Sequence, residues 1–140
     1  MLDLIADPSV DFRQSVVLRA GIPSTLVPAK RSRVSIIDNA LVFEGESDET
    51  SMVVLPFEFS HCLVVEGLDD HRGPMPRLTR ANLHQIGLVF EGEAHVRIRF
   101  RYRPVVEVRC RMQDNMDFKE LKISDLVTYR GAKIFGGRVH

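Results

Sequence analysis

The chain has 140 residues, of which 44% are hydrophobic and 27% are charged. These values are ordinary for one soluble globular domain and exclude wholesale disorder. No apolar run approaches the roughly 18–20 residues that span a bilayer. The N-terminus is interrupted by Asp3 and Asp7 and lacks the basic region of a signal peptide. We therefore expect one domain over residues 1–130, followed by a flexible, glycine-rich tail over 131–140.

The formal net charge of zero hides an asymmetry along the chain. Residues 1–94 hold 8 Lys/Arg against 14 Asp/Glu, whereas residues 95–140 hold 11 against 5. The favoured interpretation is that acidic and basic strands lie next to each other in the same sheets, so that their charges neutralise one another.

Short segments with strand-like alternation or β-branched content follow one another from the N-terminus. The stretches 44–50 and 91–93 are polar and contain glycine, so they are interpreted as hairpin turns, and 67–76 as a surface loop. The hexapeptide Leu-Val-Phe-Glu-Gly-Glu occurs at 41–46 and at 88–93, which indicates either two related halves or, as favoured here, a common strand-turn form. The predicted strands are 15–19, 33–37, 40–44, 51–55, 61–66 and 86–90.

Residues 95–103 show the strictest alternation in the chain. This period of two predicts a strand that ends before Pro104 and has one buried and one wet face. The arginines should be exposed, and we call Arg97, Arg99, Arg101 and Arg103 the arginine face. The side chains expected to be buried are Val96, Ile98, Phe100 and Tyr102.

Three roles are open for the arginine face. The favoured one is structural, with Glu44, Glu58 and Glu66 as cross-strand partners. A second is docking to a protein or a membrane surface. A third is tracking an anionic polymer, since alternate side chains are spaced by roughly 6.5–7 Å. Nucleic acid is not favoured, because base-stacking aromatics should lie on the same face, and here they lie on the other.

The C-terminal part contributes one further strand and little helix. Residues 105–112 alternate again and are predicted as a strand, while 117–127 is the best helix candidate and 81–85 could form one turn. Many short strands with turns between them favour an all-β fold, specifically a jelly-roll-like antiparallel β-sandwich.

The cysteines and histidines give no sign of a reactive centre. Cys62 and Cys110 permit one disulfide, but two free, buried thiols are the favoured interpretation, because free cysteine is among the most buried residue types. Neither belongs to a CxxC pair, which gives no support to a zinc or redox site. The five histidines are dispersed without metal-ligand spacing, and no hydrolase, zinc-protease or nucleotide-loop motif occurs. Asp69, Asp70 and His71 are interpreted as a solvated loop, and Asp114 and Asp117 as turn and cap residues.

Two segments together carry a resemblance to a known family. Arg80-Ala81-Asn82 is followed at 87–104 by Gly-Leu-Val-Phe-Glu-Gly-Glu-Ala-His-Val-Arg-Ile-Arg-Phe-Arg-Tyr-Arg-Pro. This pattern resembles the C-terminal extracytoplasmic domain of YfhO-like bacterial membrane proteins, a multi-spanning glycosyltransferase-like family. In that domain, a strand turns at an acidic or glycine corner and returns as an alternating strand that ends in Tyr-x-Pro. Residues 11–18 and 55–62 are similar to the entry and central aromatic strands of that domain, although Ser60-His61-Cys62 stands where the family has Pro-Gly-Trp.

The resemblance implies a β-sandwich appendage rather than an active transferase, because the catalytic acids of such enzymes lie in membrane-embedded segments. It also implies a sugar or lipid-linked sugar as ligand class, and an extracytoplasmic location. A chain complete as given would instead be cytoplasmic.

We therefore expect a non-catalytic accessory or binding module, with no cofactor and no metal, whose partner is a saccharide or another protein chain. The alternative is a protein-assembly module that docks through Arg97, Arg99, Arg101 and Arg103. An enzyme would instead need polar groups that converge in a concave pocket.

Overall fold

The computed structural model describes residues 15–19, 25–101, 104–120, 126–130 and 133–134. Within these ranges the strands form one 8-stranded sheet, and one helix follows the sixth strand. The strands are β1 (Ser15–Arg19), β2 (Arg31–Ile37), β3 (Ala40–Glu58), β4 (Leu63–Gly67), β5 (Arg77–Ala81), β6 (Gln85–Phe100), β7 (Leu126–Arg130) and β8 (Lys133–Ile134), and the helix is α1 (Pro104–Glu120).

The sheet is built around two long strands, β3 and β6. Its order is β2-β3-β6-β5-β1-β7, with β4 paired to β6 and β8 paired to β3. All pairs are antiparallel except β3–β8, which is parallel. The all-β class predicted from the sequence is confirmed, whereas this pairing does not establish the jelly-roll sandwich. In the segment expected to be a tail, Lys133–Ile134 pairs with β3, and residues 131–132 and 135–140 lie outside the described residues.

The two predicted hairpin turns are bends inside continuous strands. The stretch 44–50 belongs to β3, and 91–93 belongs to β6. The turns were wrongly predicted because the two polar stretches lie opposite each other: Gly45 is paired with Ala94, and Ser47 with Gly92. The register then shifts between Ser47 and Ser51, so the extra residues of β3 are absorbed as a bulge and pairing continues.

The main hydrophobic cluster lies on one face of the β3–β6 pair. Phe43 and Val96 are completely buried, and the rings of Phe43 and Phe90 meet edge to face with their centroids 5.1 Å apart. Gly45 is part of this packing, because an added Cβ would lie 2.5 Å from Cζ of Phe43. The buried cluster is completed by Val34, Val53, Leu55, Phe59, Ile86, Leu88, Ala94 and Ile98.

The strand predicted over 105–112 is wrong, since these residues lie in α1. Pro104 supplies the fixed φ that suits the first position of a helix, and its missing N–H is not needed there. The following residues include good helix formers such as Glu107, Arg109 and Met112. Alternation over a few valines was therefore insufficient evidence for a strand. The helix predicted over 117–127 overlaps α1 only at its end.

The expectation of two free thiols is also wrong, because Cys62 and Cys110 form a disulfide with a Cα–Cα distance of 5.1 Å. The prediction failed because it placed Cys110 on a distant strand, whereas α1 brings it beside the start of β4. Asp114, one helical turn further on, accepts hydrogen bonds from Ser60 Oγ (2.6 Å) and from the backbone N–H of His61 (2.8 Å). We call this region the helix junction.

Two further contacts complete the helix junction. Asp117 Oδ2 lies 2.5 Å from His61 Nε2. Asp114 Oδ1 lies 3.7 Å from Arg80 Nη2, and the Arg80 guanidinium lies over the ring of Phe59, 4.9 Å from its centroid. Asp114 and Asp117 were interpreted as turn and cap residues, but both hold α1 against the sheet.

Gly45→Ala should lower the free energy of unfolding by about 1–3 kcal/mol, the usual effect of overpacking a filled core. The new methyl group would overlap the rings of Phe43 and Phe90, which are 0% and 3% exposed and have no room to withdraw. Ser47→Ala is the matched control on the same strand. Its hydroxyl is buried without a hydrogen-bond partner among the described groups, so its removal should leave stability unchanged or slightly raised. Urea denaturation measures both, and equal effects of the two changes would contradict this packing.

Replacing Cys62 and Cys110 together by serine should lower the free energy of unfolding by about 2–4 kcal/mol, because the disulfide closes a long loop in the unfolded chain. Urea denaturation with and without reductant measures the difference, and reductant should not affect the double variant. Two titratable thiols in the unreduced, denatured wild-type protein would show that the disulfide is absent.

Candidate functional site

The arginine face is partly engaged by carboxylates of the same chain. Arg99 donates to both carboxylate oxygens of Glu66 on β4, with Nε 2.9 Å from Oε2. This bidentate pair raises the pKa of Arg99, and the hydrogen bond from Arg99 lowers the pKa of the Glu66 carboxyl. The partner is one of the three glutamates predicted from the sequence. For Arg99 the structural role is therefore visible in the geometry.

The other members of the face differ in their surroundings. Arg97 is half-buried opposite Val42 and Glu66, and its Nε is buried without a hydrogen-bond partner among the described groups. Arg101 is exposed, and its backbone N–H donates to the carbonyl of Cys62. Arg103 and Tyr102 lie outside the described residues. A binding role for the four arginines stays a prediction.

The apolar side of this strand agrees with the sequence except at its end. Val96 and Ile98 are buried as predicted, but Phe100 is 47% exposed, so its predicted burial is wrong. Phe100 is the last residue of β6 and pairs with Leu63, the first residue of β4, at the border of the sheet. Its ring lines an open apolar groove of about 390 Å³ instead of the core. Other lining residues are Ile36, Leu41, Phe57, Leu63 and Ile98.

A polar cleft of about 430 Å³ opens beside the arginine face, on the same side of the sheet. The register places Arg33 of β2, Glu44 of β3 and His95 of β6 in one row, so their side chains share that side. The loop after β4 closes the cleft. The cationic side chains that line it are Arg31, Arg33 and Arg72, the carboxylates are Glu44, Asp70 and Glu93, and the imidazoles are His71 and His95.

His95 is held between two carboxylates of the polar cleft. Its Nδ1 lies 2.5 Å from Asp70 Oδ1, and its Nε2 lies 3.4 Å from Glu44 Oε1. Both ring nitrogens therefore face an acidic oxygen. Asp70 reaches His95 from the loop, although its own side chain is 70% exposed.

His71 ties the loop to β6. Its Nδ1 accepts a hydrogen bond from the backbone N–H of His95 (3.2 Å), and the backbone N–H of Leu68 donates to the carbonyl of His95 (3.0 Å). Because Nδ1 acts as an acceptor, the neutral ring carries its proton on Nε2, which is buried with no partner among the described groups. The segment interpreted as a solvated loop is thus one wall of the polar cleft.

Sequence reasoning found part of this site and missed the rest. Through the alternation of 95–103 it placed His95 on the same side as the arginines, and it interpreted Asp70 and His71 as part of a solvated loop. It did not join them, because the loop and β6 are separated by more than twenty residues. Arg33 gave a signal through the alternation of β2, whereas Arg72 and Glu93 gave none.

Across the described side chains, no group of three or more His, Cys, Asp or Glu residues is arranged to hold a metal ion. No helix in the described part of the chain is both long and apolar enough to cross a membrane. No protein-family model, curated protein or solved structure matches the chain.

The coupling between Arg99 and Glu66 should be present at neutral pH and disappear in acid. Because the folded-state pKa of Glu66 is lowered, the pair stabilises the fold above the ordinary pKa of glutamate, and that contribution is lost as the pH falls through the lowered value. Arg99 stays charged throughout, since its pKa is raised above an already high value.

A double-mutant cycle with Arg99→Met and Glu66→Gln, followed from neutral pH as far into acid as the fold persists, measures this coupling. It should be small and weakened by salt, because both side chains are about two-fifths exposed. Arg101→Met combined with Glu66→Gln is the control and should show no coupling. A coupling that persists unchanged in acid would contradict the assignment.

Proposed function

We propose that this chain is a non-catalytic binding module and that the polar cleft holds a hydroxyl-rich ligand of the saccharide class. The observation that carries the proposal is the balanced lining of the cleft, with three guanidinium groups and three carboxylates around one concave volume. Its volume of about 430 Å³ lies in the range of small-molecule sites, about 300–1,000 Å³.

The balance of charge selects the chemistry of the ligand. A hydroxyl group both donates and accepts hydrogen bonds, so it can pair with a carboxylate and a guanidinium at once. An anionic polymer would meet Glu44, Asp70 and Glu93 as repelling groups. The planar, forked ends of arginine and carboxylate side chains also suit two hydroxyls on neighbouring carbons. A neutral, polyhydroxylated ligand therefore fits this lining better than a polyanion.

The surroundings of His95 favour binding over catalysis. Polar groups do converge in this pocket, as an enzyme would require. However, both ring nitrogens of His95 face carboxylates, so neither is directed to a ligand as a general base. The side chains that line the cleft include no serine, threonine, cysteine or lysine, and two of its three carboxylates, Glu44 and Asp70, are engaged with His95.

Two further considerations support an extracytoplasmic, carbohydrate-related setting. The resemblance to the appendage of YfhO-like, glycosyltransferase-associated membrane proteins implies both the location and the ligand class. The disulfide between Cys62 and Cys110 supports the location, because such bonds persist mainly in oxidising compartments. The alternative, assembly through the arginine face, has less support, since Arg99 is already paired with Glu66.

The test is a two-dimensional NMR titration of the labelled protein with maltose, N-acetylglucosamine and, as an anionic probe, inorganic phosphate. A saccharide should shift the amide signals of Gly45, Ala94 and their neighbours, with a dissociation constant on the order of 1 mM, equivalent to about −4 kcal/mol. Arg33→Met should weaken binding at least about tenfold, a loss of about 1.4 kcal/mol. The recovered saccharide should be chemically unchanged.

Arg101→Met is the matched control, because it removes an exposed arginine outside the cleft and should leave the affinity unchanged. Absence of cleft shifts with both saccharides would contradict the proposal. Tighter binding of phosphate than of either saccharide would show an anion site instead.

A further inference from the structure

The helix α1 exposes three large apolar side chains on the side that faces away from its described contacts with the rest of the fold. Cys110, Asp114 and Asp117 make the contacts of the helix junction. Val108, Met112 and Met116 are 61%, 59% and 53% exposed. An amphipathic surface helix normally shows the reverse arrangement, with its apolar stripe toward the core.

The helical repeat explains why the two sets of side chains are separated. At about 100° per residue, positions 110, 114 and 117 fall on one side of the cylinder and positions 108, 112 and 116 on the opposite side. None of the described α1 side chains belongs to the hydrophobic core cluster. We call Val108, Met112 and Met116 the outer stripe.

The acidic and basic side chains of α1 also lie on different sides of the helix. Among its described side chains, the acidic ones, Asp114 and Asp117, contact Ser60 and His61 in the turn between β3 and β4. The basic ones, Arg109, Arg111 and Lys119, are exposed. On the helical repeat, Arg109 and Arg111 lie to the two sides of the outer stripe, and Lys119 continues it at the C-terminal end of the helix.

We propose that the outer stripe docks into an apolar groove of a partner protein whose rim carries carboxylates. Methionine side chains are flexible and polarisable, which suits them to fill an irregular groove. The exposed side chains Arg109, Arg111 and Lys119 around the outer stripe complement an acidic rim and attract the partner protein. The disulfide and the hydrogen bonds of Asp114 hold the helix in place beforehand, so little ordering opposes binding.

Two other occupants fit the outer stripe less well. A second copy of α1 packed antiparallel would bring Arg109 and Arg111 close to Lys119 of the first, and like charges would repel. A membrane surface would meet a stripe only about 12 Å long, from Val108 to Met116. That stripe contains none of the aromatic or leucine side chains that usually anchor interfacial helices.

The experiment measures binding of the full chain to a fluorescent, heptad-patterned helical peptide with leucine at the a and d positions and glutamate at e and g. A peptide with lysine at e and g is the counterpart of reversed charge. The glutamate peptide should bind, and added salt should weaken it. Met112→Glu with Met116→Glu should reduce its affinity at least tenfold, whereas Met75→Glu, at a 48% exposed methionine elsewhere, should not.

Reversing the charge of two basic side chains provides an independent test of the proposal. Arg109→Glu with Lys119→Glu should transfer preference from the glutamate peptide to the lysine peptide, while thermal denaturation shows an unchanged fold. Equal binding of both peptides, or binding insensitive to the methionine changes, would overturn the proposal. A dimer seen by sedimentation velocity and abolished by Met112→Glu would also overturn it. Binding to phosphatidylglycerol vesicles without binding to the glutamate peptide would do the same.

Discussion

The antiparallel pairing of β3 with β6 is the constraint on which the other features depend. It decides which side chains of both strands reach the core, because a shift of one residue would exchange the two faces. With Phe43 opposite Val96, the neighbouring pair, Glu44 and His95, must lie on the other face. The polar cleft and the arginine face are therefore consequences of how the core is filled. They could not move without unpacking Phe43 and Phe90.

The same pairing explains which strand predictions succeeded. Alternation in 95–100 is strict because this part of β6 has one core side and one solvated side, and that signal is local. The turns predicted at 44–50 and 91–93 failed because the decisive fact is non-local. Each stretch looks like a turn by itself, but together they form a bend with a bulge at Ser47–Ser51. Sequence composition does not reveal that two such stretches will face each other.

The candidate site was predictable only where a single strand carried it. Glu66 was one of three glutamates that the sequence offered as partners of the arginine face, and it is the one that pairs with Arg99. The polar cleft draws on β2, β3, β6 and the loop after β4, so it exists only once the register is known. Cys110 shows the same limit: its partner could be judged only after 105–112 was recognised as helix and not strand.

The helix junction accounts for how the two proposed surfaces coexist in one chain. Because a disulfide, Asp114 and Asp117 hold the helix, the apolar side chains of the outer stripe stay exposed and available to a partner. Burying Met112 and Met116 against the sheet would have given stability, about 25 cal/mol for each Å² of apolar surface removed from water. In the present arrangement, the free energy of burying these two side chains is gained only when a partner covers them. The covalent attachment thus replaces the hydrophobic packing that the outer stripe would supply if it faced the sheet.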